Sequence, residues 1–199
     1  MTLHKIDLFI HSGFSTIHSI VFDIYIYNCY NLLTAWEMLS PILTIQGGET
    51  MQILEHQSLL FNNVISYHTH LALEQLPSMV EYVRSNVCNL GAELSGSIMY
   101  TENSDNYKNI ELIIPVNVQL TNCEEYEYKP VFKLLNAVSV RHEGLFSNIE
   151  KTENCLIEYI KDKSYNMLTQ PYYNIIRLEP DDTNNCIVDI YIGTEYNAS

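Results

Sequence analysis

The pattern that most restricts this chain is an order of elements that can be read twice. From about Leu59 the sequence runs strand, helix, strand, strand, and the same order restarts near Phe132. In residues 59–70, Val64, Ser66, His68 and His70 share one face while Ile65 and Tyr67 share the other, the two-residue period of a strand. Residues 73–90 read as a helix, because Leu76, Val80, Val83 and Val87 step along one apolar stripe. Pro77 is tolerable in the first turn, where its missing N–H would have no partner, and Gly91 supplies the stop. Strands over 94–102 and 109–119 follow, joined across Asn103-Ser104-Asp105-Asn106. In the second of these, Leu112, Ile114, Val116 and Val118 share a face opposite Glu111, Ile113, Pro115 and Asn117, and Pro115 marks an edge or irregular strand.

The second round has a strand over 132–142 and a helix over 147–161. Ser147 and Glu150 have the spacing of a capping box, and Ile149, Leu156, Tyr159 and Ile160 form the apolar stripe. Strands over 168–178 and 186–196 close it. The halves overlay by eye: His68 with His142, Glu81-Tyr82-Val83 with Glu158-Tyr159-Ile160, and 110–115 with 188–193. Val64 and Val138 are therefore expected in equivalent core places, as are Val83 and Ile160. One such unit cannot cover both sides of its small sheet, whereas two copies about a pseudo-twofold axis can. The expected fold is α+β: duplicated strand–helix–strand–strand units, an antiparallel sheet, and helices on one face.

Charge and cysteine usage narrow the partners. The chain carries a formal net charge of −14 and a pI near 4.7, which repels phosphate backbones. Nucleic acid is not an expected partner; a cationic molecule or a basic protein is. The cysteines at 29, 88, 123, 155 and 186 are odd in number and widely spaced, with no CxxC, which suits reduced cytoplasmic thiols better than disulfides or zinc. His68 and His70 share a strand face but lack a third ligand with motif spacing, so no metal is expected. No hydrolase, P-loop or dinucleotide fingerprint occurs, and no cofactor is expected.

Residues 1–50 are apolar but irregular, and Asp7, His11, His18 and Asp23 interrupt any span, so no membrane partner is expected. Gly47-Gly48-Glu49-Thr50 precedes Met51, and its codons can form a purine-rich ribosome-binding site before a start. Two readings stand: translated leader with the true start at Met51, or an N-terminal extension with a helix over 29–39. The domain proper is 51–199.

The segment Ala137-Val138-Ser139-Val140-Arg141-His142-Glu143-Gly144-Leu145-Phe146 runs a strand into a His-x-Gly-x-aromatic turn. The last strand reads Asp189-Ile190-Tyr191-Ile192-Gly193. Both pieces, within the duplicated layout, resemble the GyrI-like superfamily of AraC-type effector-binding domains, in a stand-alone form. That resemblance implies a ligand cleft between two similar halves and an acid in the last strand facing a cationic ligand. Here Asp189 stands where the family has Glu, Gly193 where it has Pro, and Ile176 where Tyr is common.

The ligand-binding candidates are the symmetry-related acids Glu111 and Asp189, with the aromatics Tyr100, Phe146, Tyr173 and Tyr191, which could hold a flat or cationic ligand by stacking. On the last strand Ile187, Asp189 and Tyr191 point one way. Val188, Ile190 and Ile192 point the other, toward the helices. The leading function is a module binding a small apolar or cationic molecule; a protein-interaction role with a basic partner and a small hydrolase are the alternatives.

If 1–50 is leader, a chain truncated to begin at Met51 folds cooperatively in urea titrations. An aggregated truncation beside a well-folded full chain would contradict the leader reading.

Overall fold

The computed structural model describes residues 42–44, 50–103 and 109–196. The readings of 1–41 and 45–49, and of the turn at 104–108, lie outside the described residues. Among these residues eight strands and two α-helices follow in chain order: β1 (Ile42–Thr44), β2 (Thr50–His70), α1 (Leu76–Asn86), β3 (Met99–Asn103), β4 (Asn109–Pro115), β5 (Glu127–Gly144), α2 (Ile149–Asp162), β6 (Tyr165–Met167), β7 (Tyr172–Glu179) and β8 (Asp182–Tyr196). Met51 lies inside β2, and β1 pairs across it, Leu43 opposite Met51.

The sheet is antiparallel throughout and runs β2-β4-β3-β7-β8-β5, with β5 pairing back onto β2. It therefore closes into a strand barrel, with β1 added beside β2 and β6 beside β8. Two strands are far longer than usual: β2 has 21 residues and β5 has 18. They close the barrel because they bend. Asn63 in β2 and Asn136 in β5 take left-handed backbone conformations, φ 55° and 50°, which Asn tolerates better than most residues. Tyr128 donates its hydroxyl to the Asn63 side chain at 2.6 Å, and Thr194 donates to the Asn136 carbonyl at 2.9 Å.

Both helices pack on one face of the sheet. Leu76 and Val80 of α1 and Ile149, Leu156 and Ile160 of α2 share a buried cluster with Ile65, Tyr100, Leu112, Val138, Tyr173 and Ile190. The expected parity of β8 holds: Val188, Ile190 and Ile192 are fully buried on that side. Helix α1 is flanked by 3-10 turns at Leu73–Gln75 and Val87–Leu90. Gly91 ends it at φ 70°, its N–H donating to the Cys88 carbonyl at 2.9 Å. No helix among the described residues is long and apolar enough to cross a membrane.

Four expectations are corrected. Of the two readings of Pro115 the edge strand fails and the irregular one stands: β4 lies between β2 and β3, and Pro115 is its last residue, where the ladder gives way to a Leu94–Val116 bridge. Residues 94–98 therefore precede β3 rather than belong to it. The Ser147–Glu150 capping box does not form. A 3-10 turn at Phe146–Asn148 precedes α2, and backbone bonds such as Asn148 N–H to the Leu145 carbonyl serve its first groups. Val64 and Val138 lie on opposite faces, Val64 clustering with Met99 and Ile113 while its neighbour Ile65 joins Val138. A shift of one residue along a strand is enough to exchange faces.

Ile160 is fully buried. Ile160→Ala should cost about 2–5 kcal/mol in urea unfolding, the range for large-to-small core changes; a loss below about 0.5 kcal/mol would mean that this helix face is not packed as described.

Candidate functional site

Residues opposite one another in antiparallel strands point to the same side of the sheet. This rule assembles the face that the helices leave uncovered. One row crosses from His68 (β2) through Glu111 (β4), Thr101 (β3), Tyr172 (β7) and Tyr191 (β8) to Ser139 (β5). The next runs Ser66, Ile113, Met99, Asn174, Asp189 and Arg141 on the same strands in the same order. Polar groups are sunk into this face: Ser66, Thr101, Ser139 and Asn174 are all buried. Its floor is a small apolar cluster of Val64, Met99 and Ile113, against which Phe61, Phe132 and Tyr172 pack. Phe132 meets Tyr172 edge-on at 5.3 Å.

Each of the two acids on this face holds a base. Arg141 grips Asp189 with two parallel bonds, Nε to Oδ1 at 2.7 Å and Nη2 to Oδ2 at 3.0 Å. This fork geometry uses both carboxylate oxygens. Glu111 is held differently: Ser66 Oγ and Lys129 Nζ both donate to Oε1, the lysine at 2.9 Å. Burial pushes the Glu111 carboxyl up, but the Ser66 hydroxyl and the Lys129 ammonium outweigh it, and the group sits below the ordinary Glu range. Tyr172 and Tyr191 are raised, chiefly by burial. Asn174 Oδ1 is buried and, among the described residues, finds no hydrogen-bond donor. Thr101 spends its hydroxyl on the Pro171 carbonyl at 2.8 Å.

A cavity of about 490 Å³ opens at the Glu111 end, lined by Ser66, His68 and the segment 122–127. That segment brings Glu124, Glu125 and Glu127 to its wall. Lys129 lies 3.7 Å from Glu127 as well as beside Glu111.

Of the six sequence candidates, Glu111, Asp189 and Tyr191 share this face. Tyr100, Phe146 and Tyr173 lie across the sheet, buried in the helix-side cluster. Tyr100 and Tyr173 stack at 4.3 Å, and Tyr173 donates to Glu153 at 2.7 Å. Sequence reasoning missed Lys129, Arg141, Tyr172 and Asn174. The signal for Tyr172 and Asn174 was parity: both oppose residues of the Asp189 row or its neighbour. Gly193 has a local reason. Its N–H donates to Thr169 Oγ1 at 2.9 Å, and a Cβ there would meet Leu134 and Thr169 carbons at 3.0 Å.

The lowered Glu111 value fixes the sign of a pH effect. A carboxyl depressed in the folded state stabilises above the unfolded Glu range and loses that contribution as pH falls through the folded value. Between about pH 5 and about pH 3, the natural protein should therefore lose more stability in urea titrations than Glu111→Gln. Parallel losses would mean that Ser66 and Lys129 contribute nothing through this carboxylate.

No family model matches the chain, and no curated protein does. Among solved structures it is similar to the EcmrR C-terminal domain, with a TM-score of 0.55 and 16% identity, over 71% of this chain and 98% of that one. It is also similar to a chain of the EcmrR–DNA complex, with a TM-score of 0.58 and 15% identity, over 92% of this chain and 68% of that one. SAV2435 bound to tetraphenylphosphonium overlaps at a TM-score of 0.41, too slight a likeness to argue from. At these identities the likeness concerns the fold: the chain shares the fold of the EcmrR C-terminal domain.

Proposed function

We propose that this chain is a small-molecule-binding module, and that it takes a ligand with an apolar body and a positive charge on the uncovered face of the sheet. The two rounds of strand, helix, strand, strand would be the similar halves, related by a pseudo-twofold axis, that hold it between them. The observation that carries the reading is the cavity beside Glu111. It opens onto Ser66 and His68, and its wall adds Glu124, Glu125 and Glu127 to the Glu111 carboxylate, while among the described residues Lys129 pairs with Glu111 and Glu127 alone. That excess of negative charge attracts a cation, and the half-buried setting of Glu111 makes the attraction stronger than it would be in open water.

The two acids then have different roles. Asp189 is matched one-to-one by a forked arginine, an arrangement that orders the site more than it leaves charge to spare. Glu111 shares its lysine with Glu127, so an incoming cation can replace Lys129 while the carboxylate keeps a partner throughout. Tyr172 and Tyr191 offer ring faces beside these charges, and Asn174 Oδ1 offers an acceptor to a donor on the ligand.

Calorimetric titration with benzyltrimethylammonium and related lipophilic cations tests this. Glu111→Gln should weaken a bound cation about tenfold or more, the scale of a charge-assisted contact, while the melting temperature measured above pH 6 falls only slightly. Asp189→Asn should weaken it by about 1–3 kcal/mol by the same reckoning, through release of Arg141. Equal affinities in the natural protein and Glu111→Gln would remove this end of the face from the site.

A further inference from the structure

A second cavity lies on the other side of the sheet, under helix α1. Its volume is about 510 Å³, within the span of pockets that hold drug-sized ligands. The floor is apolar, formed by Ile65 and Ile114 of the sheet and by Met79, Val83 and Val87 of the helical segment. Three tyrosines, Tyr67, Tyr82 and Tyr126, stand around it. Tyr82 is 63% exposed and Leu90 39%, so large apolar side chains are left in solvent at the rim. Exposed aromatic and aliphatic groups around a concave apolar floor mark a recognition site more often than ordinary surface.

The charge of this cavity selects its occupant. Among the described residues, its one carboxylate is Glu125, and no lysine or arginine lines it. No salt bridge engages Glu125 among the described residues. The amides that line the cavity from the helix side already donate elsewhere: Asn86 to the Tyr82 carbonyl at 2.8 Å, and Asn89 to Asn86 at 3.0 Å. An apolar floor, tyrosine faces and one unpaired carboxylate complement a molecule with an apolar body and a single protonated amine.

We infer that the cavity bounded by α1, Ile65, Ile114 and Tyr126 is a binding site for a small amphipathic primary amine, with Glu125 as its counter-charge. The site lies on the other side of the sheet from the one proposed above and shares part of its wall with it. The two meet only at the segment 122–127, since Glu125 and Tyr126 line both cavities.

The test uses the full chain with phenethylammonium, and phenethyl alcohol as its uncharged counterpart, read by methyl NMR. The ammonium should shift the methyls of Met79, Val83, Val87 and Ile114, and should bind at least about tenfold more tightly than the alcohol, the scale of a hydrogen bond to a charged group. Glu125→Gln should abolish that preference while leaving alcohol binding unchanged. Tyr82→Ala, at an exposed position, should weaken both ligands several-fold without unfolding the protein. Glu111→Gln should leave these shifts unchanged, which separates this site from the other face. Methyl shifts confined to residues around Ser66, equal affinity for amine and alcohol, or an undiminished preference in Glu125→Gln would each overturn the inference.

Discussion

The pairing of β2 with β5 is the constraint on which the rest of the structure depends. It turns an open sheet into a barrel and so decides which side chains are neighbours. Val64 shows how. It lies opposite Pro115 of β4 on one side and opposite Lys129 of β5 on the other. Because β4 and β5 flank the same stretch of β2, the Lys129 ammonium can reach Glu111 across it. Without closure, the start of β5 would not lie beside β2, and Glu111 would keep the Ser66 hydroxyl but lose the Lys129 ammonium. The bends at Asn63 and Asn136 accompany this closure: two very long strands curve, and the β2–β5 ladder shifts register between Leu54 and Leu59, where Asn136 falls on the β5 side.

Closure also divides labour between the two faces. The helix side carries the main apolar cluster, with His142 and Thr152 buried beside it and bonded to each other at 2.7 Å, and supplies most of the burial that stabilises the chain. The other side buries polar groups at a cost, offset by specific partners: Ser66 and Lys129 for Glu111, Arg141 for Asp189, the Pro171 carbonyl for Thr101. On this side Asn174 Oδ1 has no such partner among the described residues, as Tyr100 Oη has none on the helix side. A face that spends stability on buried polarity, in a domain whose other face carries the core, is the physical basis for locating binding there. The sharing of Lys129 between Glu111 and Glu127 makes that end the more easily exchanged of the two ion pairs.

Much of this architecture was legible in the sequence, and the failures have a common cause. Helix α1 could be read because four apolar residues at helical spacing, Pro77 at the start and Gly91 at the end all agree. The face of Asp189 and Tyr191 could be read because Val188, Ile190 and Ile192 leave no doubt about which side is buried. Parity failed where adjacent residues are alike. Val64 and Ile65 are both β-branched, and Tyr172 and Tyr173 are both tyrosines, so composition alone does not say which member faces the helices. The structure puts Ile65 and Tyr173 there and leaves Val64 and Tyr172 on the other side. The bases of the site were invisible for a different reason. Lys129 and Arg141 lie 18 and 48 residues from their acids along the chain, and only the barrel brings each pair together. Pro115 suggested an edge because it has no ladder N–H, but it stands opposite Val64 of β2 and past Met99–Ile113, where the β3–β4 ladder has already ended.

The most direct measurement is a crystal structure of the full chain with the tightest-binding lipophilic cation. The account predicts the cation in the cavity beside Ser66 and His68, its charge against the Glu111 carboxylate, an aromatic face of Tyr172 or Tyr191 against its body, and Lys129 displaced from Glu111. The cation bound elsewhere, with the Lys129–Glu111 pair intact, would contradict it.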